Sequence, residues 1–461
     1  MALPGLVALV SVGLRLPFLS VPLITDEGGY AYVAHWLARG ATLYRDLWFD
    51  RPQAIFLVYG AQLALLGEST EAIRLGAALY NVATCVALYA LGVRLCSHVV
   101  GLGAAGLFAV ASASPAIEGF TANGELYMAL PMVLSLLCAA RGWWWASGLC
   151  GALACALKPT ALLAVAPPLA AVWWHDVRSL RAAVFCALGG LVGVAPFVAH
   201  GVLTDGAGYW YALVGFRVSA HSAFSAGGAL LRDFLQTAPT TLAALAPLWL
   251  LAAWGARSAW SRRERSVGAA FLGGSLLGAA AGGHWYWHYY VGLVPAAALL
   301  GAYALSSPTP RWLPPTLGIL LLPTLYFNAR LVGATPEETS LRIYERPAYV
   351  ASGEIAAHVR AGTRESDRVY VAFAQADLYH LSGRRSAGRH LYWTEINRVP
   401  GAFDELLTTM RDGTLRPAYV IEIDRELERP GRAAPFWDEV ARHYEVEREI
   451  GGYRLFRVRA R

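Results

Sequence analysis

Two adjacent carboxylates, Asp26 and Glu27, close the first apolar stretch of the chain, in the run LITDEGGYAYVAHWLARG (23–40). A carboxylate placed there can take the proton of an attacking hydroxyl or amine, as a general base. It can equally serve a helix start, with Thr25 or Asp26 as cap and first-turn acids against the dipole, worth about 0.5–2 kcal/mol. A cap alone does not call for two acids. A second polar stretch, LYRDLWFDRPQ (43–53), carries Tyr44, Asp46, Asp50 and Arg51 ahead of Pro52; the plain alternative is a solvated loop before a Pro-started helix. A third, GFTANGELYMALP (119–131), puts Glu125 at the mouth of an apolar segment. A charge there is costly enough to suggest a function, against the alternative of a first-turn glutamate. A fourth, CALKPTALL (155–163), holds Lys158, the only lysine of the chain. The alternative for it is a cation snorkelling from a helix end.

A weaker fifth feature is GGHWYWHYYVGLVP (282–295), with His284, His288, Tyr289 and Tyr290. An aromatic belt accounts for it, and the two histidines at i and i+4 have no third metal ligand nearby. Taken together, the carboxylates, the lysine, the arginine and the aromatic hydroxyls suit group transfer from a lipid-bound phosphate donor. A carboxylate deprotonates the acceptor; Lys158 or Arg51 neutralises the departing phosphate. A polyprenyl chain would keep such a donor at the membrane rim.

The elements that must position these groups are membrane helices. The 461 residues are 56% hydrophobic and 15% charged, with mean hydropathy +0.42, against about 25% charged in ordinary soluble proteins. Repeated apolar runs mark a polytopic membrane protein and exclude the water-soluble enzyme classes. Eleven spans are predicted: 4–23, 72–95, 98–114, 124–140, 143–157, 160–174, 182–201, 238–256, 267–282, 288–306 and 312–331. Residues 1–22 lack a basic leader and read as a retained first helix rather than a signal peptide. Arg94, Arg141, Arg178 with Arg181, the cluster Arg257, Arg262, Arg263 and Arg265, and Arg311 fall in alternate loops. Those loops and the N-terminus are then cytoplasmic. Loops 24–71, 115–123, around 158, 202–237 and 283–287 face outward, and they hold nearly all the unusual chemistry. Within loop 24–71, residues 30–38 and 53–67 read as helices lying in the interface.

Forty of the Asp, Glu, Lys and Arg residues lie in the last 127 positions, 335–461, and thirty in the first 334. The chain therefore divides into a membrane domain, 1–334, and a soluble extracytoplasmic domain, 335–461. In the latter, 368–374, 418–424 and 453–459 read as strands and 348–361, 402–412 and 434–443 as helices. A hairpin turns at Gly451-Gly452. This small α/β unit has no GxGxxG after a strand and no P-loop, so nothing points to a nucleotide. The six cysteines, Cys85, Cys96, Cys138, Cys150, Cys155 and Cys186, lie in or beside apolar segments and read as buried thiols. A net charge of +6 is no argument for nucleic acid.

The order of these motifs resembles the GT-C membrane glycosyltransferases, in the branch of the protein O-mannosyltransferases and the lipid A aminoarabinose transferases. In that family an Asp, often followed by Glu, ends the first span, as Asp26-Glu27 does here. A G…Y…D…(K/R)P stretch follows, matched by Gly40, Tyr44, Asp46, Asp50, Arg51 and Pro52. Where the aminoarabinose branch has an acid before Lys-Pro-Pro, this chain has Asp50-Arg51-Pro52-Gln53. Glu125 resembles the family's second outer-loop acid, Lys158 its lysine at the outer end of a middle span, and His288-Tyr289-Tyr290 its HYY…P segment. The tail's DLYHLSGRR (377–385) resembles its periplasmic α/β domain.

The resemblance implies a GT-C fold in the plasma (inner) membrane and an inverting transfer of one sugar from a polyprenyl-phosphate donor. The acceptor would be a glycolipid, a polysaccharide or a protein. Asp26 would be the base, with Glu27 as its catalytic support. Asp50, Arg51, Glu125, Lys158, Tyr44, His288 and Tyr289 would bind donor or acceptor. Members of the family often need no metal and some bind a divalent ion; a non-essential metal is expected here. The rival class is a flippase or transporter of lipid-linked sugars, which would place charges near the bilayer midplane and build two matching repeats. Here the acids gather at one rim and no repeat is visible. A scaffold with an outer binding domain is a third reading, but an anchor has no use for a lone lysine and three acidic clusters on one face.

Overall fold

The computed structural model describes residues 2–219, 228–258, 261–306, 308, 310–423 and 432–459. Positions 220–227 of the expected outer loop 202–237, Asp424 at the end of one expected strand and the last two residues lie outside these. In chain order the first helices are α1 (Ala2–Gly13), α2 (Thr25–Ala38), α3 (Ala54–Leu66), α4 (Thr70–Leu95), α5 (His98–Ala111) and α6 (Gly124–Ala140). Then come α7 (Trp144–Leu157), α8 (Ala161–Asp176), α9 (Leu180–Trp210), α10 (Ala229–Ala244), α11 (Ala246–Ser258), α12 (Arg262–Ala280), α13 (Val294–Leu305) and α14 (Leu313–Ala329).

Helix occupies every one of the eleven apolar stretches, but three differ from the expected continuous spans. The first ends at Gly13 and is followed by a separate 3-10 turn, Leu16–Phe18, built on Pro17. The eighth is broken: α10 and α11 meet at 84°. Pro247, the second residue of α11, has no N–H to continue the ladder of α10 and disfavours helix at the residue before it. The tenth opens as a 3-10 segment, Trp287–Leu293, before α13 begins at Val294. By length and composition, Thr70–Leu95, Leu180–Ser219 and Trp287–Leu305 can each cross a bilayer unaided, and the bent pair makes a fourth if it counts as one crossing. The other apolar helices, among them Gly124–Ala140 and Trp144–Leu157, have 10–17 residues. The eleven predicted spans thus agree with the helices in position, and by length and composition alone three or four of them suffice to cross unaided. Exposed leucines such as Leu9, Leu65 and Leu203 are what a lipid-facing surface requires.

The C-terminal segment contains α15 (Pro336–Tyr344), α16 (Pro347–Ala361), α17 (Asp377–Ser382), α18 (Trp393–Arg398), α19 (Ala402–Arg411) and α20 (Ala434–His443). Its strands are β1 (Arg368–Ala372), β2 (Arg385–Ser386), β3 (Tyr419–Glu422), β4 (Tyr444–Ile450) and β5 (Tyr453–Val458). They form one sheet in the order β2-β1-β3-β5-β4, parallel from β2 to β3 and antiparallel from there on. The hairpin turns at Gly451-Gly452, both with positive φ, as expected. Side chains alternate along the strands. Val369, Val371 and Ile421 belong to the core shared with the long helices, while Tyr370, Ala372 and Val420 face Leu406 and Met410 of α19 and Phe436 of α20. The sheet is therefore packed on both faces, and one of those packings is continuous with the helical part.

Helix α2 departs from the expected interfacial helix. Glu27 through Ala34 are all buried. Its period of apolar residues suggested one wet face, but the C-terminal segment covers that face. Helix α3 keeps the expected character, with Leu57 and Leu65 exposed and Ile55, Phe56 and Tyr59 buried.

Candidate active site

Three faces of α2 do three different jobs. One holds the C-terminal segment. A Cβ on Gly28 would lie 2.1 Å from the Asp377 Cα, and one on Gly29 would lie 2.6 Å from the Tyr392 hydroxyl. Only glycine lets α17 and the 386–393 loop approach this closely. The Ala376 N–H donates to Thr25 Oγ1 at 3.0 Å, the Tyr392 hydroxyl to the Thr25 carbonyl at 3.3 Å, and the Ser386 N–H to the Tyr32 hydroxyl at 2.9 Å.

The second face belongs to Glu27, which is fully buried. Arg74 of α4 pairs with it in a fork, Nε to Oε1 at 2.6 Å and Nη2 to Oε2 at 2.7 Å. The Ala122 N–H donates to Oε1 at 2.7 Å and the Ile24 N–H to Oε2 at 3.2 Å. The helix-cap role open to the acid pair thus falls to Glu27, not to Thr25 or Asp26. With both oxygens saturated, Glu27 does not line the cleft described next, and its expected catalytic role becomes one of positioning.

The third face presents Asp26 to a cleft lined by Tyr30, Arg51, Glu125, Lys158, His288 and Tyr289. Each of these comes from a different local cause. Arg51 stands just before Pro52, where the chain turns into α3. Glu125 is in the first turn of α6. Lys158 is the extended residue that ends α7 ahead of Pro159. His288 and Tyr289 sit in the 3-10 segment before α13. Lys158 Nζ pairs with the Glu125 carboxylate and lies 3.8 Å from the centroid of the Tyr289 ring. His288 Nδ1 lies 3.2 Å from Glu118 Oε2. Asp50 bridges Arg51 (Nη1 to Oδ1, 2.7 Å) and Arg217 (Nη2 to Oδ2, 2.8 Å). Asp26 alone among the charged groups named here has neither a hydrogen bond nor an ion pair from its side chain within the described residues. Burial raises its pKa above the usual carboxylate value, and the nearby His288 and Arg51 work in the opposite direction.

The cleft adjoins a larger cavity of about 480 Å³ that shares Arg51, Lys158 and Tyr289 with it. Asp50 and Arg217 complete the polar end of that cavity, and Leu213, Val218 and Ala281 line its apolar side. Two arginines share the single carboxylate of Asp50, so this end keeps a surplus positive charge.

Of the residues singled out in the sequence, the structure brings Asp26, Arg51, Glu125, Lys158, His288 and Tyr289 to one cleft, with Asp50 one step behind Arg51. Tyr44 is different. It is fully buried, its hydroxyl donates to the Arg51 carbonyl at 3.0 Å and its ring packs on Tyr209. It shapes the loop that carries Arg51 and does not reach either cavity. Arg217 and Glu118 were missed. Arg217 lay in a long loop without periodicity, and Glu118 is held in the left-handed region by the turn after Pro115, which no spacing rule exposes. The histidine pair at i and i+4 does not converge on a metal. Tyr286 stacks between the two rings, and His284 binds Asp233 at 2.6 Å while His288 binds Glu118. Among the described residues no three His, Cys, Asp or Glu side chains gather as metal ligands.

Residues 50–202 match the family described as dolichyl-phosphate-mannose-protein mannosyltransferase. No curated protein matches the chain by sequence. Among solved structures, ArnT from Cupriavidus metallidurans bound to undecaprenyl phosphate superposes with a TM-score of 0.69 at 14% identity, covering 98% of this chain and 97% of that one. The chain has the GT-C fold. Apo ArnT gives a TM-score of 0.70, also at 14% identity and the same coverage. AglB from Archaeoglobus fulgidus, an archaeal oligosaccharyltransferase in complex with an inhibitory peptide and a dolichol-phosphate, gives 0.55 at 13% identity, over 95% of this chain and 70% of AglB. Within this GT-C fold the family match begins at Asp50 and includes Arg51, Glu125 and Lys158. Asp26 lies outside the matched range.

Proposed function

We propose that the protein is a membrane glycosyltransferase that moves a sugar from a polyprenyl-phosphate donor to a glycolipid, polysaccharide or protein acceptor, with inversion, on the extracytoplasmic face of the inner membrane. The N-terminus is cytoplasmic in this reading. One observation carries it: the unpaired carboxylate of Asp26 faces the same cleft as Arg51 and Lys158, and that cleft adjoins an apolar cavity with surplus positive charge. A lipid phosphate has its anionic head and its greasy chain matched there at once. The named neighbours with bound undecaprenyl phosphate or dolichol-phosphate support the same donor class.

In this mechanism Asp26 takes the proton of the acceptor hydroxyl or amine as its oxygen or nitrogen attacks the anomeric carbon. The bond from that carbon to the phosphate oxygen breaks on the opposite side, which inverts the centre. The polyprenyl phosphate leaves with the electron pair, and Arg51, Arg217 and Lys158 hold its charge. Glu125 keeps Lys158 in place, and Tyr289 covers the ammonium with its ring. Metal is non-essential in this scheme, so transfer should persist in a chelator.

The test uses the purified full chain with polyprenyl-phosphate sugar and membrane extract as acceptor source. Asp26→Asn should cut transfer by a factor on the order of 10²–10⁴ while leaving binding of polyprenyl phosphate intact. Wild-type transfer by this variant overturns the base assignment. Translocation of the lipid-linked sugar without any transfer would favour the flippase instead.

A further inference from the structure

The end of α7 opposite Lys158 carries a second site of different character. Helices α7 and α9 touch backbone to backbone midway: a Cβ on Gly148 would lie 1.8 Å from the Cys186 carbonyl oxygen, and one on Gly189 2.0 Å from that of Trp145. Beyond this contact, where both helices begin, lies a cavity of about 620 Å³. Trp143, Trp144, Trp145, Val177, Phe185 and Arg181 line it. It lies about 20 Å from Lys158 along α7, at 1.5 Å per residue.

The charge at this mouth has one sign. Arg181 lines the cavity, Arg178 stands in the chain between its lining residues Val177 and Ser179, and Arg141 lies over the ring of Trp143, which lines it too; the nearby Asp176 is already held by Arg263 at 2.6 Å. Arg141 stacks over Trp143 and Arg181 over Phe185, and neither guanidinium has a hydrogen-bond acceptor or carboxylate among the described residues. Arg178 stacks on Trp174 and donates to the Trp174 carbonyl. Cations held flat on aromatic rings keep their edge N–H groups free for an anion. Trp143 and Trp145 are half exposed, as tryptophans at a headgroup level are. Below the mouth, Phe185, Leu188 and Val192 of α9 present an exposed apolar track along the membrane direction.

We propose that this cavity binds an anionic glycerophospholipid, its phosphate between Arg141 and Arg181 and an acyl chain along Phe185 and Leu188. A basic, aromatic-lined recess between helices at the headgroup level suits such a lipid. The site is independent of the transfer chemistry at the other end of α7. The lipid is a structural ligand of the α7–α9 pair, and it takes no part in the reaction.

Native mass spectrometry of the purified full chain tests this. The protein is exposed in detergent to equal amounts of phosphatidylglycerol or phosphatidylcholine, with glycerol phosphate as the arm lacking acyl chains. Phosphatidylglycerol should be retained in preference, and the double variant Arg141→Gln, Arg181→Gln should bind it roughly tenfold or more weakly. Both side chains are exposed, so the variant should keep the wild-type melting temperature in the absence of lipid. Phe185→Ala, which removes the apolar track and no charge, should weaken retention as well. Equal retention of the two lipids, or wild-type retention by the double variant, overturns the proposal. Displacement of phosphatidylglycerol by equimolar glycerol phosphate would mark a free-phosphate site and overturns the lipid assignment.

Discussion

Asp26 and Glu27 are neighbours in the chain and both lie in low dielectric, yet their surroundings are opposites. Glu27 sits in a closed knot with a forked arginine and two backbone N–H donors. Asp26 faces an open cleft with no partner for its side chain among the described residues. A buried carboxylate with every lone pair used is a structural part, and removing it strands its partner. A carboxylate facing a cleft with its lone pairs free is ready to accept a proton, and no hydrogen-bond partner among the described residues favours its charged form. In the proposed mechanism that difference separates the base from the residue that positions it.

That separation can be broken by experiment. Asp26→Asn should lower transfer by a factor on the order of 10²–10⁴, the usual worth of a general base, and leave the unfolding midpoint unchanged or higher. Glu27→Gln should do the reverse in kind, costing about 3–5 kcal/mol of stability because it leaves the Arg74 charge buried without compensation; equilibrium denaturation in detergent reads this. If the two variants behave alike, the contrast drawn here is wrong. Lys158→Arg keeps the charge but cannot fit between Glu125 and the Tyr289 ring, and should reduce transfer about 10–100-fold, the worth of one charge-assisted hydrogen bond.

Two pH measurements sharpen the comparison. A base must be ionised, so kcat/KM should be present above the Asp26 pKa and lost as pH falls through it. Burial raises that pKa, so the acid limb should lie above the ordinary aspartate value of 3.8. A limb at or below that value counts against Asp26. Asp377 supplies the stability counterpart. It is fully buried, and burial, only partly offset by the Ser352 hydroxyl, pushes its pKa up to about 7. The folded chain holds this proton where the unfolded chain releases it. Stability should therefore decline with rising pH between about 4 and 7, by at most about 1.4 kcal/mol per unit. Glu27 on α2 and Tyr349 on α16 are the titratable groups facing it. Asp377→Asn should flatten this slope.

Much of the site was legible because membrane topology does part of the folding in advance. Once Asp26, Arg51, Glu125, Lys158 and His288 are assigned to one end of the helices, few arrangements keep them apart. What could not be read was the partner of each charge. Whether Asp26 or Glu27 meets Arg74 depends on a rotation of about 100° around α2, and Arg74 looks like any first-turn residue of a span. Tyr44 carried a family-like spacing and proved to be a packing residue under Arg51, since spacing reports neighbours along the chain and not burial. The glycines of DEGGYAY gave no hint of their partner because it lies in the last quarter of the sequence. For the same reason α2 looked half wet. In the C-terminal segment local patterns located α16, α19, α20, β1, β3 and the β4–β5 hairpin, whose faces alternate in the ordinary way, whereas α15, α17, α18 and β2 are too short to show a period.

The distance between Thr25 and its hydrogen-bond partner Ala376 is 351 residues. During synthesis the helix that carries Asp26 is therefore made early and stays without its cover until nearly the whole chain has left the ribosome and its last segment has reached the same side of the membrane. Gly28 and Gly29 wait as an empty seat until then. A chain interrupted before the C-terminal sheet forms would hold every charged residue of the cleft and still lack the packing against the helix that carries Asp26. The helix that carries Asp26 is thus set in place by a segment more than three hundred residues further along the chain.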